Sequence, residues 1–178
     1  MKKRILAFGA SNSKRSINRQ LANYAAYQIP GSEVTLIDLN DFEMPIYSID
    51  REQESGIPEE AYRFKRLIEE ADGIIISFAE HNGSYTVAFK NIYDWISRID
   101  RNIWLHKPMF ALATSPGPGG GKSVLATAMK GFSFTNNNTV ASFSLPSFRK
   151  HFNVEEGILQ PDLSLSFNQQ LEIFTQAL

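Results

Sequence analysis

Cysteine is absent from the chain. That removes disulfides, thiolate nucleophiles, iron–sulfur clusters and thiolate zinc sites. Histidine is scarce, and His81, His106 and His151 show no metal-ligand spacing. No resident metal is expected. A surplus of one charge is missing too. Lys and Arg number 18, Asp and Glu 19, and the formal net charge is −1. Such a surface offers no broad attraction to nucleic acid or anionic lipid. No apolar run approaches membrane length. After the basic Met1-Lys2-Lys3-Arg4, the stretch from Ile5 to Ala10 is too short for a secretory h-region. The expectation is a cytoplasmic protein without nucleic-acid or membrane partners. Internal repeats and low-complexity linkers are also lacking. What is present is ordinary globular composition, 43% apolar and 21% charged over 178 residues, the size of a single domain spanning 1–178.

Short apolar runs alternate with helical patterns along this chain. Ile5-Leu6-Ala7-Phe8, closed by Gly9, reads as a buried strand. From Ser16 a helix carries Ile17, Leu21, Tyr24 and Ala25 on one stripe, and Pro30-Gly31 stops it. Val34 to Ile37 reads as the second strand. Phe64, Leu67, Ile68 and Ala71 mark the next helix, and Asp72-Gly73 turns into a strand at Ile74 to Phe78. A helix follows with Phe89, Ile92, Ile96 and Ile99. Pro108 opens a strand at Met109 to Ala113, and a helix near Ser123 to Lys130 precedes a fifth strand at Thr139 to Phe143. The last helix has Phe167, Leu171, Phe174 and Leu178 on one stripe. The acidic, Pro- and Gly-bearing segment 41–60 reads as a solvated crossover loop, and 153–165 has no clear reading beyond the exclusion of Pro161 from a helix interior. Five strand–helix alternations predict an α/β fold: a five-stranded parallel sheet, doubly wound, with helices on both faces. Ligands of such sheets bind beyond the carboxyl ends of the strands, where strand order reverses.

Three loops at such strand ends have unusual composition. The first, Ala10-Ser11-Asn12-Ser13-Lys14-Arg15-Ser16-Ile17-Asn18, packs three hydroxyls, two amides and two cations into nine residues. Ser16 is the candidate N-cap. A helix start presents unpaired N–H groups and about half a positive charge, so a phosphate there gains backbone and hydroxyl donors together. A capped helix needs only one of these hydroxyls. The loop lacks G-x-G-x-x-G, and this favours a mononucleotide such as FMN over a tightly held dinucleotide. In the second loop, Glu80-His81-Asn82-Gly83-Ser84, Asn82-Gly83 signals a tight turn that would aim backbone groups at the edge of a flat heterocycle. His81 reads either as a solvated loop histidine or as a group that stacks on the ring or donates a proton. Glu80 is more often a loop-ordering residue, and Trp95 a packing one. The third loop, Thr114-Ser115-Pro116-Gly117-Pro118-Gly119-Gly120-Gly121-Lys122-Ser123, imitates a P-loop, but Pro116 stands where its first glycine should be. It reads as backbone that approaches a ring closely, or as a flexible lid. No G-x-S-x-G elbow occurs. Phe148-Arg149-Lys150-His151-Phe152 is a basic, aromatic patch that could face a site or a partner.

In this order the three loops resemble the NADPH-dependent FMN reductase family, from strand one to about Phe152. Ser11, Ser16 and Asn18 match its first-loop pattern G-S-x-R-x-x-S-x-N, with Ser13 at the arginine position and Arg15 two residues beyond it. Glu80, Asn82, Ser84, Lys90, Asn91, Asp94 and Trp95 match its second motif. Ala79 replaces a proline there, His81 a tyrosine and Thr86-Val87 a proline–glycine pair. The third loop resembles S-P-G-G-x-G-G, with Pro118 for one glycine. The resemblance implies a flavodoxin-like three-layer sandwich and non-covalent FMN. NAD(P)H would be the co-substrate, and a flavin, quinone, azo compound or metal ion the acceptor. Chemistry would reside on the flavin N5, with no catalytic side chain and His81 as a modulator. The implied cofactor contacts are Ser11, Ser13, Arg15, Ser16, Ile17, Asn18, Glu80, His81, Asn82, Gly83, Ser84, Ser115, Pro116, Gly117, Gly119 and Gly120. A homodimer or homotetramer is also implied. A flavodoxin-like electron carrier and a cofactor-free binding protein remain open alternatives on the same fold.

Overall fold

Apolar runs long enough to be buried on both sides form the central strands of the computed structural model, which describes residues 2–178. Every residue of β3 (Gly73–Phe78) and β4 (Met109–Thr114) is buried, as is all of β1 (Arg4–Ala10) after its first residue. The outer strands β2 (Glu33–Leu36) and β5 (Val140–Leu145) alternate in exposure, as edge strands covered mainly on one face do. The sheet is wholly parallel, in the order β2-β1-β3-β4-β5, as the strand–helix alternation predicts.

Helices cover both faces. One face packs α1 (Ile17–Tyr27) and α7 (Pro161–Gln176) over Ile5, Ala7, Ile75, Phe110 and Leu112. The other packs α3 (Glu59–Glu70), α4 (Val87–Ile99) and α5 (Lys122–Thr135) over Leu6, Phe8, Ile74, Ile76 and Ala111. Alternate residues of each strand thus feed the two cores.

Two expectations are corrected. Segment 41–60 is not simply a loop. It contains part of a 3-10 turn at Leu39–Phe42, the short helix α2 (Ile49–Ser55) and the start of α3. Ser48 caps α2, its hydroxyl accepting from Arg51 N at 3.2 Å. The undecided stretch after Asn153 completes a two-stranded ribbon, β6 (Phe152–Asn153) with β7 (Gly157–Ile158), and then enters α7 with Pro161 in its first turn. That placement of proline removes no helical hydrogen bond. A four-residue helix, α6 (Phe148–His151), precedes the ribbon.

Register brings the informative loops together. Ala10 pairs with Phe78, Phe78 with Ala113, and Thr114 with Leu145. The loops after β1, β3, β4 and β5 therefore leave one edge of the sheet at one level. The chain reverses its winding direction between β1 and β3, where doubly wound sheets bind ligands. Among the described residues no helix is long and apolar enough to cross a membrane.

Candidate functional site

Four loops enclose a cleft of about 290 Å³ at that edge. The first contributes Ser11, Ser13, Arg15, Ser16, Ile17 and Asn18. The second contributes Ala79, Glu80 and His81, the third Thr114, Ser115 and Pro116, and the fourth Arg149.

The first loop is built as an anion cradle. Ser16 is the N-cap of α1, and its Oγ accepts from Arg19 N at 3.1 Å. Ser11 Oγ accepts from Ser13 N at 3.1 Å. Each hydroxyl is thereby oriented by a backbone donor and keeps its own proton to give. The N–H groups of Ile17 and Asn18, in the first turn of α1, have no acceptor among the described residues. Hydroxyls, free amides and the positive end of a helix converge here, which is the donor set that a phosphate monoester requires.

Asn18 also looks inward. It is 2% exposed. Its Oδ1 accepts from Ser77 Oγ at 2.8 Å and from Thr114 N at 3.0 Å, and its Nδ2 donates to Thr114 O at 3.1 Å. One amide proton is left for a ligand. Its main work is to bind α1 to β3 and to the end of β4.

The second loop turns tightly at Asn82-Gly83, with φ of 53° and 77°. His81 and Ser84 exchange both backbone hydrogen bonds across it, at 3.0 and 3.1 Å. This is a two-residue hairpin of the kind that Asn-Gly favours. Because it projects into solvent, Asn82, Gly83 and Ser84 lie off the cleft wall and only His81 reaches it. Glu80 orders the loop: its Oε2 accepts from Val124 N at 3.0 Å in the first turn of α5.

Beyond Thr114, at the end of β4, the third loop brings Ser115 and Pro116 to the cleft. Gly119 is exposed, and Gly117 is turned to the fourth loop, its carbonyl accepting from Ser147 N at 2.8 Å. Gly120 does not line the cleft. It is buried against the end of β5, where a Cβ would stand 2.5 Å from Ser144 Oγ. Ala79, Thr114 and Arg149 line the cleft beyond the cofactor contacts that the sequence implies. Arg149 lies in the basic, aromatic patch, whose two phenylalanines are buried and stacked 4.7 Å apart while the arginine turns to the cleft.

A second cleft of about 250 Å³ adjoins the first and shares His81 with it. Asn12 and Asn40 give it polar walls, and Met44, Ile46, Val87 and Ile92 apolar ones. Asn91 and Trp95 hold its outer wall. Asn91 Oδ1 accepts from Tyr47 N at 2.9 Å and its Nδ2 donates to Met44 O at 3.1 Å, while Trp95 Nε1 donates to Pro45 O at 2.7 Å. Among the described residues no group of His, Asp or Glu gathers as a metal site would require.

A family model described as NADPH-dependent FMN reductase matches residues 3–149. The chain belongs to that family. The NADPH-dependent FMN reductase family uses FMN, with NAD(P)H as electron donor. An NADPH:quinone oxidoreductase from Arabidopsis thaliana is 32% identical over 124 residues, covering 67% of this chain and 62% of that protein. A 2-hydroxy-1,4-benzoquinone reductase from Burkholderia sp is 36% identical over 104 residues, covering 57% and 55%. The chain thus spans less than two thirds of the length of either relative. The flavoenzyme NAD(P)H:(acceptor) oxidoreductase FerB from Paracoccus denitrificans superposes with a TM-score of 0.74 at 22% identity, covering 98% of both chains. The apo form of an NADH:FMN oxidoreductase superposes with a TM-score of 0.75 at 19% identity, covering 99% of this chain and 90% of that one. These two likenesses establish the flavodoxin-like fold. The cleft fits the family's cofactor, because its unspent donors form one cluster at the mouth of α1.

Proposed function

We propose that this chain is an FMN-dependent NAD(P)H oxidoreductase that passes electrons to a small quinone-type acceptor. The observation that carries this reading is the cradle: two oriented hydroxyls and two unpaired amides at the start of α1, on a cleft that continues past Ala79, Glu80 and His81. Quinones are favoured among acceptors because the Arabidopsis and Burkholderia relatives are named quinone reductases.

Ser11 and Ser16 would donate hydroxyl hydrogen bonds to the phosphate, and the N–H groups of Ile17 and Asn18 would add two more. Charge-assisted hydrogen bonds of this kind contribute about 1.5–3 kcal/mol each. Glu80 keeps the loop after β3 in place through α5, so the backbone at Ala79 and His81 is fixed before anything binds. Asn91 and Trp95 keep the neighbouring cleft open beside His81, giving donor and acceptor a route to the ring. Bound FMN supplies two-electron transfer between NAD(P)H and the acceptor. Donor and acceptor atoms must meet at about 3–3.5 Å, so the protein's task is to hold a flat surface open, and no side chain need act as a nucleophile.

Residues 1–178 then form one flavodoxin-like domain. Ile46, Ile49 and Val87, each half or more exposed near the second cleft, support a homodimer that covers them. A cytoplasmic setting follows from the need for NAD(P)H. The test is spectroscopic. Purified protein incubated with FMN should retain a yellow chromophore after desalting, NAD(P)H should bleach it without air, and benzoquinone should restore it. A protein that takes up no flavin refutes the reading. One that holds FMN but is not reduced by NAD(P)H is an electron carrier.

A further inference from the structure

We infer that Arg149 is the resident counter-cation of the FMN phosphate, delivered from the far edge of the sheet by a turn built for that purpose. The inference rests on the cofactor reading above. Two guanidinium groups border the first cleft, Arg15 and Arg149, and neither has a carboxylate or hydrogen-bond partner among the described residues. They differ in how they are held. Arg15 lies in an exposed turn of the first loop, closed by Ser16 N donating to Ser13 O at 3.0 Å and by Ser13 N donating to Ser11 Oγ at 3.1 Å, with no bond from the loop after β5.

Arg149 stands on a braced segment. Ser147, just before α6, has φ 49° and ψ 57°, a left-handed conformation that a serine adopts only when its surroundings impose it. Ser147 N donates to Gly117 O at 2.8 Å and Phe148 N to Ser115 O at 3.0 Å, tying the segment to the third loop. Behind it His151 Nδ1 pairs with Pro146 O at 2.8 Å, and Phe148 and Phe152 stack in the core. Strained backbone, two inter-loop bonds and a buried aromatic anchor set the direction in which residue 149 leaves the chain. That direction is the cleft, shared with Ser11, Ser13 and Ser16. The backbone that carries Arg149 is fixed before the ligand arrives, so only the exposed side chain is left to order on binding, and a guanidinium suits a phosphate better than a point charge does.

The test compares FMN with riboflavin, which has no phosphate, by fluorescence quenching of the full chain. Wild type should bind FMN more tightly than riboflavin. Arg149→Ala should weaken FMN by about tenfold or more and riboflavin by less than about twofold, and should flatten the salt dependence of FMN binding. Arg149→Lys should recover part of the loss. Arg149→Ala with no effect, or with equal effects on both ligands, overturns the assignment. So does a selective FMN loss in Arg15→Ala that Arg149→Ala does not share. In each of these cases wild type still takes up FMN, so the cofactor reading survives. Wild type that binds neither ligand removes that reading and this inference together.

Discussion

Asn18 on α1 and Thr114 at the end of β4 hold each other through two hydrogen bonds, Thr114 N to Asn18 Oδ1 at 3.0 Å and Asn18 Nδ2 to Thr114 O at 3.1 Å. Ser77, fully buried on β3, completes the knot at 2.8 Å. Three neighbouring elements are thus locked at the edge where the cleft opens. Asn18→Ala would leave the Ser77 hydroxyl and the Thr114 N–H buried without partners, at about 1–3 kcal/mol each. The expected outcome is a loss of about 2–5 kcal/mol in urea unfolding of the flavin-free protein. An unchanged midpoint would return Asn18 to a role limited to the ligand.

Glu80 and Val124 yield a milder version of the same logic. The carboxylate replaces the missing cap on α5, whose N-cap position is Gly121. Glu80→Ala should lower stability by about 1 kcal/mol. Glu80→Gln keeps an oxygen that can accept from Val124 N and should cost less. Thermal unfolding of the two variants side by side checks the order, and equal losses would mean that the charge, which both variants lack, and not the accepting oxygen, is what counts.

Much of this architecture was legible in the sequence, for physical reasons that also explain the gaps. β3 and β4 could be read because strands buried on both sides must be apolar throughout. Ser16 could be read as a cap because capping is local chemistry over three residues. Helix α2 buries no residue, so it carries no apolar stripe to detect. Asn18 and Ser16 look alike in sequence, and only the packing of α1 on β3 and β4 turns one of them inward. Gly120 stands in a run of glycines, and it alone of them meets Ser144 and Pro146 at the end of β5, distant in sequence. Arg149 reaches the cleft from beyond the edge strand β5, distant in sequence from the first loop, and nothing in its neighbours announces the strained turn at Ser147.

Ser16 serves the fold and the ligand at once, and the two contributions can be separated. Its Oγ caps α1 by accepting from Arg19 N and borders the cleft, where its proton is free to be donated. Ser16→Ala should destabilise the flavin-free protein by about 1 kcal/mol through the lost cap. It should also weaken FMN by about tenfold and riboflavin far less. Ser16→Asp restores a capping acceptor but sets a negative charge against the phosphate. It should recover the unfolding midpoint and weaken FMN further. Recovery of both quantities in Ser16→Asp would refute the phosphate contact.

Asp38 links the first loop to the second cleft and predicts a response to pH. Its carboxylate meets Arg19 Nη1 at 2.6 Å and accepts from Asn40 N and Nδ2 at 2.9 and 2.7 Å, and Asn40 in turn donates to Asn12 O at 3.0 Å. Partial burial pushes the carboxyl up, but the Asn40 bonds and the charges of Arg19 and Lys14 outweigh it and hold Asp38 below its ordinary value of 3.8. A carboxyl depressed by folding stabilises the native state fully above its unfolded value, and the contribution is lost as pH falls through the folded one. Arg19 is partly exposed, so the ion pair itself contributes about 0.5–1 kcal/mol. Asp38→Asn should therefore be less stable than wild type at neutral pH, and the gap should narrow as pH falls below the ordinary value of 3.8 and through the depressed folded one. Urea midpoints taken from pH 7 downward measure this. A gap that stays constant with pH would show that Asp38 acts through the geometry of its hydrogen bonds and not through its charge.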